Sequence, residues 1–169
     1  MKSPKTVVVT GFMGCGKSEI ASRIAVCLNQ SFTDLDEFIT RTKGRTPAQL
    51  IREEGEPAFR LLETEALREL LNNQPGVVAL GGGAWIEAIN RELIKTNEAV
   101  TVWLDTPFEL CWSRIAASSE DRPLGATREQ AKARYKQRRP IYQLTDITIV
   151  ITPEDDPESI TKRLVDLLV

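Results

Sequence analysis

The chain has 169 residues, 41% of them hydrophobic and 27% charged, with a net charge of −2. This balance predicts one soluble domain over 1–169 with a core of ordinary size, and it counts against a nucleic-acid partner. No apolar run approaches membrane-spanning length, so no membrane association is expected. The N-terminus enters a strand-like run almost at once, without an apolar leader, which makes the cytoplasm the expected address. The absence of histidine excludes His-based triads and leaves no basis for a zinc site, and the cysteines Cys15, Cys27 and Cys111 have no C-x-x-C spacing and an odd count, against a disulfide framework.

The first run, "TVVVT" (6–10), reads as a buried parallel strand. "GFMGCGKS" follows and satisfies G-x-x-x-x-G-K-[ST] with Gly11, Gly16, Lys17 and Ser18. Gly11, Gly14 and Gly16 permit backbone angles that let several N–H groups, those around Cys15 included, point at one phosphate beside a helix N-terminus. Lys17 is placed to reach the β- and γ-phosphates of a nucleotide, and the Ser18 hydroxyl to ligate Mg²⁺. A plain glycine-rich turn is the alternative, but the strand–loop–helix setting disfavours it. The helix "SEIASRIAVCLNQ" carries Ile20, Ile24 and Leu28 on one face, and Glu19 sits in its first turn.

"SFTDLD" predicts a second strand, with Asp34 and Asp36 on the same side of an extended chain. One carboxylate could hold a metal-bound water and the other could orient a hydroxyl or take its proton. An N-cap pair opening the next helix is an equally good reading. Residues 35–62 form a largely helical insert, punctuated by Thr46-Pro47 as N-cap and first helical residue. In "GEPAFRLLE", Arg60 and Glu63 share a helix face, either as site residues or as a surface ion pair. "VVAL" (77–80) is the third strand, and Gly81, Gly82 and Gly83 at its end would let a ligand touch backbone.

"AVTVWLD" (99–105) predicts the fourth strand, and Thr106-Pro107 a second helix start of the Thr46-Pro47 kind. From Arg114 to Arg139, six arginines and two lysines face three acids, a local +5 that leaves −7 for the rest. This fits a small-anion site, although Lys132 and Lys136 fit a solvated helix face better. The polar stretch 116–127, carrying Arg122, suggests a short mobile lid. Arg138 and Arg139 precede Pro140, where the helix is expected to stop. "DITIVI" (146–151) is the fifth strand and Asp156-Pro157 opens the last helix. Trp85, Trp103 and Trp112 are expected to pack rather than bind ligand. Alternating strands and helices define an α/β fold of three layers, α/β/α, around a five-stranded parallel sheet, with ligands beyond the carboxyl ends of the strands.

In this order, "GFMGCGKS", "DLDEFI", "GEPAFRLLE", "GGG" and "RPL…RRPIY" resemble the shikimate kinases, a family of P-loop small-molecule kinases. The resemblance runs from Gly11 to the C-terminal helix. It implies ATP-dependent phosphorylation of the shikimate 3-hydroxyl, with Mg²⁺, by a monomer. Asp36 is implied to bind the accepting hydroxyl, as a candidate base, and Asp34 to hold the magnesium hydration shell. Arg60 and Arg138 would grip the substrate carboxylate and Glu63 a hydroxyl, while Gly81, Gly82 and Gly83 offer backbone contacts. Lys17 and a lid arginine at Arg122 would neutralise the transferring phosphate, and Arg114 would stack on adenine. The chain departs from the pattern at Glu19, where the family carries Ser or Thr, and in a shortened lid segment with Gly125 in place of a leucine. A gluconate-type or nucleoside-monophosphate-type kinase and a non-catalytic nucleotide-binding paralogue are the rival readings.

Overall fold

The computed structural model describes residues 6–73, 75–118 and 127–169. Strand β1, Val7–Thr10, is buried along its whole length, as β-branched residues between two helical layers should be. Helix α1, Lys17–Leu28, turns Ile20, Ala21, Ile24 and Ala25 inward, with Leu28 partly covered at its end. Strand β2 is Phe32–Asp34. Three helices follow: α2 Leu35–Lys43, α3 Pro47–Glu54 and α4 Glu56–Asn73. Strand β3, Val77–Ala79, leads through a 3-10 turn, Ala84–Ile86, into α5, Ala88–Thr96. Strand β4, Val100–Asp105, is followed by α6, Phe108–Ala117, and α7, Arg128–Tyr142. Strand β5, Ile147–Val150, and helix α8, Pro157–Leu168, complete the described residues.

The sheet is five-stranded and entirely parallel, in the order β2-β3-β1-β4-β5. From β1 the chain first moves to one edge and back to β3, then crosses to β4 on the other side. β1 is thus flanked by β3 and β4, and the carboxyl ends of these three strands border one crevice, where such sheets hold their ligands. Helices α1 and α8 pack together over the sheet, whereas α2, α3, α4, α5, the 3-10 turn and α7 form a second packed group. One core unites them, from Val7, Val8 and Val9 to Leu164.

Three local expectations are corrected. Asp36 does not lie on a strand: the Asp34 carboxylate accepts from the Asp36 and Glu37 amides at 3.0 and 3.2 Å, so the chain turns helical at Leu35. Thr106 does not cap α6, because its hydroxyl instead donates to the Cys15 carbonyl at 3.2 Å and α6 opens after Pro107. Pro140 does not end α7, which runs on to Tyr142. Proline in a last turn forfeits one backbone bond, and here buried Tyr142 holds that turn, stacked on Trp103 at 5.9 Å with its hydroxyl donating to the Gly82 carbonyl at 2.6 Å. Thr46 and Asp156 cap their proline-led helices as expected. The tryptophans pack: Trp85 and Trp103 are buried, and Trp112 stacks on Phe108. The lid segment falls mostly on 119–126, Arg122 and Gly125 included, and so lies outside the described residues.

Candidate active site

The loop after β1 is shaped by close approach. Gly14 has φ +75° and Gly16 φ +93°, both in the left-handed region. A Cβ on Gly14 would stand 2.7 Å from the Cys111 carbonyl of α6, so only glycine lets the loop lie against that helix. Gly16 is the N-cap of α1 and has no side-chain acceptor to offer, which leaves the first amides of the helix for an anion. The Thr106 bond to the Cys15 carbonyl pins the loop from β4. Cys15 itself is buried, and burial pushes the neighbouring Cys111 thiol up to about 12.

A cleft of about 370 Å³ opens beside this loop, lined by Gly14, Lys17, Ser18, Asp34, Asp36 and Leu80. The Ser18 hydroxyl donates to Asp34 Oδ2 at 2.5 Å, while Asp34 Oδ1 caps α2. Of the "DLD" pair only Asp34 caps the helix, with one oxygen, while its other oxygen faces the phosphate loop. A hydroxyl and a carboxylate side by side fit Mg²⁺, which takes one or two protein oxygens and completes its shell with phosphate and water. Arg114 donates to the Gly14 carbonyl at 3.1 Å. It lines a smaller side cleft of about 160 Å³ with Glu19, Ile151, Asp155 and Ile160. The Glu19 carboxylate accepts from Arg23 at 3.2 and 3.3 Å on the exposed face of α1, an ion pair of little energetic weight that draws its charge along the helix.

Across the crevice, α4 presents its face to the glycine run. Arg60 donates to Glu63 at 2.8 Å and to Glu56 at 3.2 Å. A Cβ on Gly83 would fall inside contact with the Arg60 guanidinium, and one on Gly81 would stand 2.7 Å from Asp36 Oδ1 and 3.0 Å from Glu63 Oε2. Asp36, Glu63, Arg60 and the Gly81–Gly83 backbone are thus gathered around one point. Glu63 is only 1% exposed. Its burial, chiefly, pushes its carboxyl up to about 7, against the pull of Arg60 and with help from Asp36 and Glu87. Burial works to lower the Arg60 pKa, but the Glu63 and Glu56 carboxylates outweigh it and the group stays raised. Arg138 donates to the Gly82 carbonyl at 3.0 Å, and burial lowers its pKa.

Some residues escaped the sequence reading. Arg139 forms a two-pronged pair with Asp105 at 2.5 and 2.8 Å and lies 5.1 Å over the Trp103 ring. It fastens α7 to the end of β4 and so aims its neighbour Arg138. Tyr135 donates to the Thr106 carbonyl at 2.9 Å and strengthens the same junction. These partners lie 34 and 29 positions apart, and nothing in local spacing marks them.

A P-loop on a parallel sheet, with hard oxygens beside it and an arginine–carboxylate pocket opposite, defines a small-molecule kinase. The family model for shikimate kinase matches residues 13–169. The shikimate kinase of Cereibacter sphaeroides is 38% identical over 148 residues, covering 86% of this chain and 73% of that one. The enzyme of Streptomyces coelicolor is 35% identical, covering 97% and 95%. The solved shikimate kinase of Acinetobacter baumannii, in complex with shikimate, superposes with a TM-score of 0.89 at 32% identity, covering 98% and 93%. The chain belongs to the shikimate kinase family, enzymes that phosphorylate shikimate with ATP.

Proposed function

We propose that this chain transfers the γ-phosphoryl group of ATP to the 3-hydroxyl of shikimate, with the gathered residues in the following roles. The backbone of Gly11, Gly14, Cys15, Gly16 and Glu19, with Lys17, cradles the ATP phosphates. Ser18 and Asp34 hold Mg²⁺, which when bound supplies charge neutralisation across the phosphates. Asp36 accepts a hydrogen bond from the attacking hydroxyl and takes its proton. Arg60 and Arg138 bind the substrate carboxylate, and Glu63, together with the backbone of Gly81, Gly82 and Gly83, fixes the ring hydroxyls. Arg114 flanks the adenine and Arg122 meets the transferring phosphate. Residues 1–169 act as one domain, with 35–62 as the substrate-binding insert and 116–127 as the lid. A monomer working in the cytoplasm completes the reading; among the described residues no helix is long and apolar enough to cross a membrane.

One observation carries it. Asp36, Glu63 and Arg60 close on the glycine run, and Asp36 also lines the cleft of the Ser18–Asp34 pair. A small carboxylate with several hydroxyls needs that division of labour: a planar cation at one end and acceptors at the other. Positioning and charge neutralisation then suffice, since phosphoryl transfer asks for little covalent chemistry. Asp36→Asn should lower kcat by about 100-fold or more while the thermal shift induced by ATP and Mg²⁺ persists. Unchanged turnover would remove Asp36 from this role.

A further inference from the structure

Beneath the pocket lies a buried polar bridge that touches none of the proposed ligand contacts. The Thr64 hydroxyl of α4 donates to Asn90 Oδ1 of α5 at 2.7 Å, and Asn90 Nδ2 donates to the Ala84 carbonyl at 2.9 Å. Asn90 is 0% exposed and Thr64 is also buried. Each end of the bridge adjoins the pocket in sequence: Thr64 follows Glu63, and Ala84 follows Gly83. The bridge is therefore a strut of fixed length between the helix that carries Arg60 and Glu63 and the turn that carries the glycine run. Those two walls already stand at the limit of contact, since no Cβ fits between Gly83 and the Arg60 guanidinium. A second brace steadies the turn from α5, the helix of Asn90, because Arg91 donates to the Trp85 and Ile86 carbonyls at 2.7 and 2.8 Å.

We infer that Thr64 and Asn90 are positioning residues for the acceptor pocket, setting the separation between the Arg60–Glu63 face and the Gly81–Gly83 backbone and thereby the affinity for the acceptor. The inference rests on the reading of that pocket as the shikimate site. A buried amide with both ends bonded has one arrangement, and loss of either partner leaves a polar atom unsatisfied, which moves the walls instead of merely weakening them. The P-loop, braced separately through Thr106 and Tyr135, is not part of this strut.

The test compares steady-state constants for shikimate and for ATP in wild type, Thr64→Val, Thr64→Ser and Asn90→Asp. Thr64→Val keeps the volume of the side chain and removes its hydroxyl, so it should raise KM for shikimate on the order of tenfold and leave KM for ATP within about twofold. Thr64→Ser restores the donor and should return KM for shikimate close to wild type. Asn90→Asp keeps the acceptor but loses the donor to Ala84, and should behave like Thr64→Val. Equal effects on both substrates, no effect on either, or a Thr64→Ser variant as impaired as Thr64→Val would overturn the inference, each pointing to a purely structural bridge. Arg60→Ala in the same series separates the two levels. If it too leaves KM for shikimate unchanged, the pocket assignment falls and the strut with it. If it raises that KM while Thr64→Val does not, only the strut falls.

Discussion

A methyl group at position 83 would press into the Arg60 guanidinium, yet the Gly83 backbone, at φ −108° and ψ −6°, is open to any residue. The obstacle is the far end of a flexible side chain. Gly83→Ala should therefore fold with a Tm within a few degrees of wild type while displacing Arg60, raising KM for shikimate on the order of tenfold; differential scanning fluorimetry and initial rates check the pair. Glu63 allows a test with a definite sign. Its folded pKa of about 7 stands above the 4.5 of a free side chain, so the folded protein holds a proton that the unfolded chain releases. The stability gained this way is complete below pH 4.5 and is lost as pH rises towards 7. Relative to Glu63→Gln, wild type should lose up to about 3 kcal/mol across that window, read from urea unfolding at stepped pH. A flat difference would mean that Arg60 alone keeps the carboxylate charged. The phosphate loop was legible because its chemistry is contiguous, Gly11 to Ser18. The roles of Asp34 were not separable in sequence, because capping and facing the loop use the same side chain and only the geometry assigns one oxygen to each.

Helix α7 shows what spacing alone conceals. Pro140 suggested its end, but Tyr142, stacked on Trp103 and bonded to Gly82, holds another turn. Arg139 had no role assigned from the sequence beyond preceding Pro140, and it clamps the helix to Asp105 at the end of β4. Such a contact cannot be read from periodicity, because its partner belongs to a strand 34 positions earlier. Its side chain is 39% exposed, so the ion pair is partly screened and the aromatic stacking contributes alongside it. Arg139→Ala should cost about 1–2 kcal/mol in denaturant unfolding and raise KM for shikimate through Arg138. Arg139→Lys should recover little of either, since an ammonium cannot make the two-pronged bond. Full recovery by lysine would reduce the clamp to a simple charge. At the capped ends the sequence was clearer: Thr46 and Asp156 announced their helices, whereas Thr106 had its hydroxyl diverted to the P-loop.

For the whole molecule, the alternation of strands and helices was enough to predict a parallel sheet with ligands at its carboxyl edge, and the observed order β2-β3-β1-β4-β5 puts the ends of β3, β1 and β4 around one crevice. What the alternation could not convey was the third dimension of the pocket. Residues 36, 60, 63 and 81–83 meet only because α4 packs against α2 and against the 3-10 turn that follows β3, and their distances are set by buried bonds such as that between Thr64 and Asn90. In the proposed arrangement two substrates would occupy one crevice from opposite sides, nucleotide against the P-loop and acceptor against α4 and the glycine run, with Asp36 between them. The most direct measurement is the rate of ADP formation with ATP and Mg²⁺ in the presence of shikimate, quinate, gluconate or no acceptor. Turnover that depends on shikimate, with gluconate no better than the blank, is the expected result. ADP release at the same rate whatever the acceptor, or a preference for gluconate, would contradict it.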